Sequence, residues 1–205
     1  MPLNELVSFE RGSQIRSRRG HLINMPKKQS LKKLLDKIQL NVNKLYHIAT
    51  HDEKTDLYNH VFFKDIFALE LGKAKRGKPL SLIIVDIDFF KKVNDTYGHL
   101  QADKILLKLA QLLQHKVRKY DIVARFGGEE FFIMLPNTKI TKAKQIAERL
   151  RKTTLTNPFL KKYKITISLG VSQFKDKDNL ERISKRADKA LYQAKKTGRN
   201  KVCIT

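Results

Sequence analysis

Cysteine is almost absent from this 205-residue chain, where Cys203 stands alone. A single thiol excludes an internal disulfide and fits a reducing compartment, and its expected role is that of a small buried apolar residue. Long hydrophobic runs are missing too. No apolar stretch approaches the roughly 18 residues of a membrane-spanning helix. The opening "MPLNELVSFERGSQIRSRRG" lacks an apolar signal-peptide core, so the chain is expected to stay in the cytoplasm. Acidic charge is scarce: 20 Asp+Glu face 43 Lys+Arg, a formal net charge of +23. That excess attracts polyanions such as nucleic acid, an anionic membrane surface or phosphorylated ligands. It is diffuse, however. Residues 1–50 hold ten Lys/Arg and three Asp/Glu, a net of +7, and the other 155 residues carry +16. No nucleic-acid-binding motif accompanies the charge, which leaves nucleic acid and membrane surfaces as weak, charge-driven partners.

Hydrophobic residues make up 41% of the chain, enough for one core of ordinary size with an appendage. Residues 1–29, rich in arginine and closed by Pro26, are expected to form a basic, disordered tail. Residues 30–50 form an amphipathic helix, with Ser30 offering an N-cap. Leu31, Ile38 and Leu45 recur every seven residues, beside a second row of Leu34, Asn41 and Ile48. This spacing fits a short dimeric coiled coil or one helix packed on its own domain. His47 and His51 share a face of it, but no companion ligand motif makes them a metal pair.

Residues 51–205 carry the globular pattern. Phe62, Phe63, Ile66, Phe67 and Leu71 suit a helix. "LSLIIVDIDFF" reads as a buried strand ending in Asp86 and Asp88. "DKILLKLAQLLQHKV" is helical, and "DIVARF" and "EFFIMLP" form a hairpin about Gly127 and Gly128. A helix at "TKAKQIAERLRKT", a strand at "YKITISLGVSQF", a helix stopped at Gly198 and a last strand at "KVCIT" complete the domain. A hairpin combined with helical crossovers makes an α+β fold, with a central, mostly antiparallel sheet flanked by helices.

The chemistry concentrates in acids at strand ends. Asp86 follows a buried strand, and Glu129 and Glu130 occupy a hairpin tip. If those strands are neighbours, the carboxylates converge. Such a set suits Mg²⁺, which takes few protein ligands and leaves room for phosphate oxygens. Gly127 and Gly128 let a bulky ligand approach the backbone.

Four segments in order then resemble one family: "HDEKTDLYNH", "DIDFFKKVNDTYGHLQAD", "RFGGEEF" and "ADKALYQAKKTGRN". Together they resemble the GGDEF-domain diguanylate cyclases across about Asp52 to Val202. The resemblance implies a fold like the nucleotidyl cyclase and polymerase palm, and an enzyme that joins two GTP molecules into cyclic di-GMP with release of two pyrophosphates. It implies Mg²⁺, or Mn²⁺ in its place, held by Asp86, the carbonyl of Ile87 and Glu129. Glu130 would be a second catalytic acid. Asn94 and Asp103 would read guanine, whose N1–H and 2-amino group donate to a carboxylate. Phe89, Phe90, Lys91, Gly127, Gly128, Lys195 and Arg199 would surround the phosphates.

"RKYD", Arg118 to Asp121, lies at the family's spacing for a product-inhibition site, with Arg149 completing it in some dimers. Taken by itself, R-x-x-D is an exposed ion pair. Three positions depart from the family pattern: Lys54 for leucine, His60 for arginine and Ala102 for glycine. They are expected to alter the helix beside the site or the shape of the guanine pocket. A two-fold symmetric product implies a homodimer with one GTP per protomer. The alternative is a non-catalytic module that binds cyclic di-GMP, whose mark would be a damaged metal motif.

Overall fold

The computed structural model describes residues 15–16, 22–23 and 28–205. The expected tail, residues 1–29, falls almost wholly outside the described residues. Within it β1 (Ile15–Arg16) and β2 (Leu22–Ile23) are described, as an antiparallel pair, together with residues 28–29. The chain divides into two units, Met1–Tyr46 and His47–Thr205. In the first, α1 (Lys28–Thr50, which runs on past Tyr46) begins two residues ahead of Ser30. Its heptad residues Leu31, Leu34, Ile38 and Leu45 are all exposed. Among the described residues no helix is long and apolar enough to cross a membrane.

The second unit is built on β4 (Leu80–Ile87), every residue of which is buried. Alternation along that strand explains the layers. Ile83, Val85 and Ile87 face one core with α4 (His99–Lys116) and α5 (Ile140–Thr156). Leu80, Leu82 and Ile84 face another with α2 (His60–Ala74) and α7 (Leu180–Lys196). The unbroken apolar stretch 82–85 therefore marks a strand covered on both faces.

The sheet has six strands in the order β3-β5-β6-β4-β7-β8. β5 (Ile122–Gly127) and β6 (Glu130–Pro136) form the expected hairpin, and β6 and β7 (Ile167–Gln173) flank β4 antiparallel. The two edge pairs are parallel: β3 (Tyr58–Asn59) on β5, and β8 (Val202–Ile204) on β7. This is the expected α+β fold, a largely antiparallel sheet between helices.

α7 lies very close to β7 at Gly170. A Cβ added there would stand 2.0 Å from the carbonyl oxygen of Ala187 and 2.4 Å from the amide nitrogen of Leu191. Only a glycine admits α7 at that depth.

Three short elements lack a sequence pattern of their own: β3, α3 (Phe90–Tyr97) and α6 (Pro158–Lys162). A two-residue strand has no period, and α6 depends on the Asn157 side chain accepting from the Leu160 amide. Cys203 is half-buried rather than buried, because β8 is an edge strand.

Candidate active site

The sheet register places the acids. Asp86, near the end of β4, lies opposite Glu130 on one side and Ser168 on the other. Glu129 and Gly128 form the turn between β5 and β6, where Gly127 has φ 150° and Gly128 φ 50°. The left-handed value at Gly128 favours glycine. Asp86 is only 5% exposed, whereas Glu129 is half-buried and Glu130 exposed.

Lys195, from the last turn of α7, brings its Nζ to 2.7 Å from Asp86 Oδ2. Burial pushes the Asp86 carboxyl up, Lys195 opposes this by hydrogen bond and charge, and Glu129 and Glu130 push it further up, giving about 6. Asp86 thus carries a charge that the protein alone only partly compensates. Among the described residues no three His, Cys, Asp or Glu side chains are gathered as a ready-made metal cluster.

Arg125 holds the turn in place. Its Nε and Nη2 donate to the Gly128 carbonyl at 3.1 and 2.8 Å, and its Nη1 donates to Asp52 at 3.0 and 3.3 Å. Burial raises the Asp52 carboxyl, but hydrogen bonds from Thr55 and Arg125 outweigh it and hold the group below its ordinary value. The opening segment and the Gly-Gly turn are therefore one hydrogen-bonded body.

Asp88 does the same at the far side. It is buried and accepts from Thr166 Oγ1 and Ser168 Oγ, both at 2.7 Å, and from the Asn200 amide at 3.0 Å. The last bond fixes the turn that carries Arg199. The Arg199 guanidinium lies 4.3 Å from the ring centroid of Phe89, which is 62% exposed. Phe89 has a left-handed φ of 57° and precedes α3 directly. Phe90 turns its ring into the core, so any ligand contact there is a backbone one. Lys91 is exposed on the first turn of α3.

The two residues expected to read a base lie on α3 and α4. Asn94 Nδ2 donates weakly to the Phe90 carbonyl at 3.4 Å. Asp103 accepts from Lys54 Nζ at 2.8 and 2.9 Å. Ala102 is buried in the core face of α4, so that departure lies in the packing of the helix. His60 is exposed at the start of α2, its ring 6.3 Å from that of Phe126.

Arg118 and Asp121 do not form a side-chain ion pair. Asp121 is buried; its Oδ2 accepts from the Arg118 amide at 2.8 Å, and its Oδ1 has no hydrogen-bond partner. Burial raises the Asp121 carboxyl, against the Arg118 amide and the charges of Arg118 and Arg149. The exposed Arg118 guanidinium donates to the Tyr120 hydroxyl, and Arg149 donates to the Lys116 carbonyl. The His47 and His51 rings stack at 4.2 Å, with His47 Nε2 2.8 Å from Asp56 and His51 Nδ1 2.8 Å from Thr50 Oγ1.

Sequence reasoning passed over Arg125, Asp52 and the partners of Asp88. The arginine two residues before the glycine pair was the available signal for the first.

A buried aspartate beside a Gly-Gly-Glu-Glu turn, on a helix-flanked antiparallel sheet, defines a class that the comparisons identify. Residues 49–201 match the family described as diguanylate cyclase, GGDEF domain. Diguanylate cyclase A of Treponema denticola is 39% identical over 177 residues, 82% of this chain and 47% of that protein. Response regulator PleD of Caulobacter vibrioides is 38% identical over 178 residues, 83% of this chain and 39% of that protein. The chain thus spans less than half the length of these curated relatives. The coiled coil and GGDEF domain of DgcB from Caulobacter crescentus, solved in complex with c-di-GMP, superposes with a TM-score of 0.78 at 26% identity, covering 86% of this chain and 96% of that one. The active GGEEF domain of a diguanylate cyclase from Vibrio cholerae gives 0.67 at 39% identity, covering 71% and 96%. The chain belongs to the GGDEF-domain diguanylate cyclase family.

Proposed function

We propose that this chain condenses two GTP molecules into cyclic di-GMP. Each 3′-hydroxyl attacks the other nucleotide's α-phosphate; two pyrophosphates leave and two protons are released. The observation that carries this reading is Asp86, a buried carboxylate paired with one lysine and set against the Gly127–Glu130 turn.

The donor set fits Mg²⁺ or Mn²⁺. Asp86 retains charge that Lys195 does not fully offset, and Glu129 and Glu130 are near enough to raise its pKa. Asp86, the Ile87 carbonyl and Glu129 would hold the ion, which supplies charge stabilisation on phosphate oxygens when bound. The chain's own cations do the rest. Lys195 and Arg199 bind the triphosphate, with Lys91 and the backbone amides of Phe89 and Phe90 as further donors. Gly127 and Gly128 make room for it. Asn94 and Asp103 select guanine, because a carboxylate accepts from N1–H and the 2-amino group together. Glu130, exposed and opposite Asp86, would serve as the second acid and move a proton.

One protomer holds one nucleotide, so the reaction needs two protomers about a two-fold axis. The exposed heptad row of α1 supplies the association surface. Arg118, Asp121 and Arg149 form a product-binding site, supported by the unpartnered Asp121 Oδ1 beside two arginines.

The test incubates the full chain with GTP and Mg²⁺ and separates the nucleotides. Wild type makes cyclic di-GMP and Glu129→Ala does not. A folded, dimeric wild type that binds cyclic di-GMP but makes none would instead be the non-catalytic module.

A further inference from the structure

Lys54 and Asp103 are 49 residues apart in sequence, and the fold joins them. The Lys54 ammonium lies 2.8 Å from Oδ1 and 2.9 Å from Oδ2. Near-equal distances put it in front of the carboxylate, between the two oxygens. A planar base edge with two adjacent donors needs that same place, one donor to each oxygen at about 2.9 Å. The two arrangements exclude each other, because a base nitrogen there would meet the ammonium.

The backbone under Lys54 is fixed. Thr55 donates to Asp52 through its amide at 3.0 Å and its hydroxyl at 2.6 Å, Arg125 grips the same carboxylate, and Thr55 and Leu57 are buried. On this side of the pair the lysine side chain, and not its backbone, can swing aside.

We infer that Lys54 is an internal competitor for the base pocket: its ammonium holds the donor position that guanine must take, and so sets the affinity for GTP. This rests on the reading of Asp103 as the residue that accepts from guanine. The lysine side chain is about half exposed, so the pair is a surface ion pair whose rupture costs little and whose strength falls with salt. The device therefore tunes the affinity and does not block the pocket.

The experiment measures equilibrium binding of a non-reacting GTP analogue, the α,β-methylene triphosphate, to the full chain with Mg²⁺. Three proteins are compared: wild type, Lys54→Met, and Lys104→Met as a charge control. Lys104 is exposed next to Asp103 and makes no ion pair with it. Lys54→Met is expected to bind about two- to fivefold tighter than wild type, and the gap should close in about 0.5 M salt. Lys104→Met should not bind tighter. Equal or weaker binding by Lys54→Met, with wild type binding normally, overturns the inference alone. No binding by any of the three removes the base-reading role of Asp103, and the inference with it.

Discussion

At Asp86, burial and two neighbouring carboxylates act against a single lysine, and the carboxyl is pushed up to about 6. An acid raised above its ordinary 3.8 favours the fold in its protonated form. That contribution is full at low pH and is lost as pH rises through 6. A bound dication reverses the preference, since it needs the ionised carboxylate. Mg²⁺ affinity is therefore expected to be nearly constant above pH 7 and to weaken about tenfold per unit below pH 6. Calorimetric titration at pH 7.5 and pH 5 checks this, and pH-independent binding would remove Asp86 from the ligand set. Asp86 and the Gly127–Glu130 turn stood out in the sequence because each is local: an acid closing an apolar run, and glycines in a short stretch. Arg125 did not stand out, because its acceptor Asp52 is 73 residues away. Asp88 likewise reaches an amide 112 residues on. Such residues look like ordinary surface charges until the fold brings their partners to them.

Among the elements, α7 links stability to the site most directly. It covers the sheet, supplies Ile183, Ala187 and Leu191 to one core, and delivers Lys195 to Asp86 from its last turn. Gly170 sets its depth. Gly170→Ala is expected to cost about 1–3 kcal/mol or more through overpacking, and to lower activity by shifting Lys195. A urea melt and an activity assay check both effects; an unchanged midpoint would mean that α7 yields without strain. Long elements were legible from pattern alone: β4 from its apolar stretch 82–85, α4 and α7 as helices. The short α3 was not, although it directly follows Phe89 and carries Asn94. Eight residues with two buried positions leave little pattern, and its start is fixed by the left-handed backbone at Phe89. Register was also beyond reach of the sequence, which made the opposition of Asp86 to Glu130 conditional on the strands being neighbours.

For the whole molecule, the proposed reaction calls for two active sites to meet, because its product would be two-fold symmetric. Ile38 and Leu45 lie on the exposed heptad row of α1. Replacing both with glutamate places like charges in any coiled-coil seam. The doubly substituted chain is expected to be monomeric at micromolar concentration, with activity per protomer lower than wild type when dilute and recovering as concentration rises. Sedimentation with a parallel dilution series measures it. A loss that is the same at every concentration would place the defect in the catalytic unit and not in association. The heptad spacing was visible in the sequence, but what covers it was not, since periodicity fits a dimer seam and an intramolecular face equally well. The diffuse +23 charge adds a general attraction for phosphorylated ligands without selecting one. Selection is left to the site.

The central claim is tested most directly by counting products from GTP alone. The purified chain with Mg²⁺ should release two pyrophosphates for every cyclic di-GMP formed. ATP should give neither product, and Asp86→Asn should give neither from GTP. Pyrophosphate without cyclic dinucleotide, or a wild-type protein that is folded, dimeric and inert toward GTP, would contradict the account.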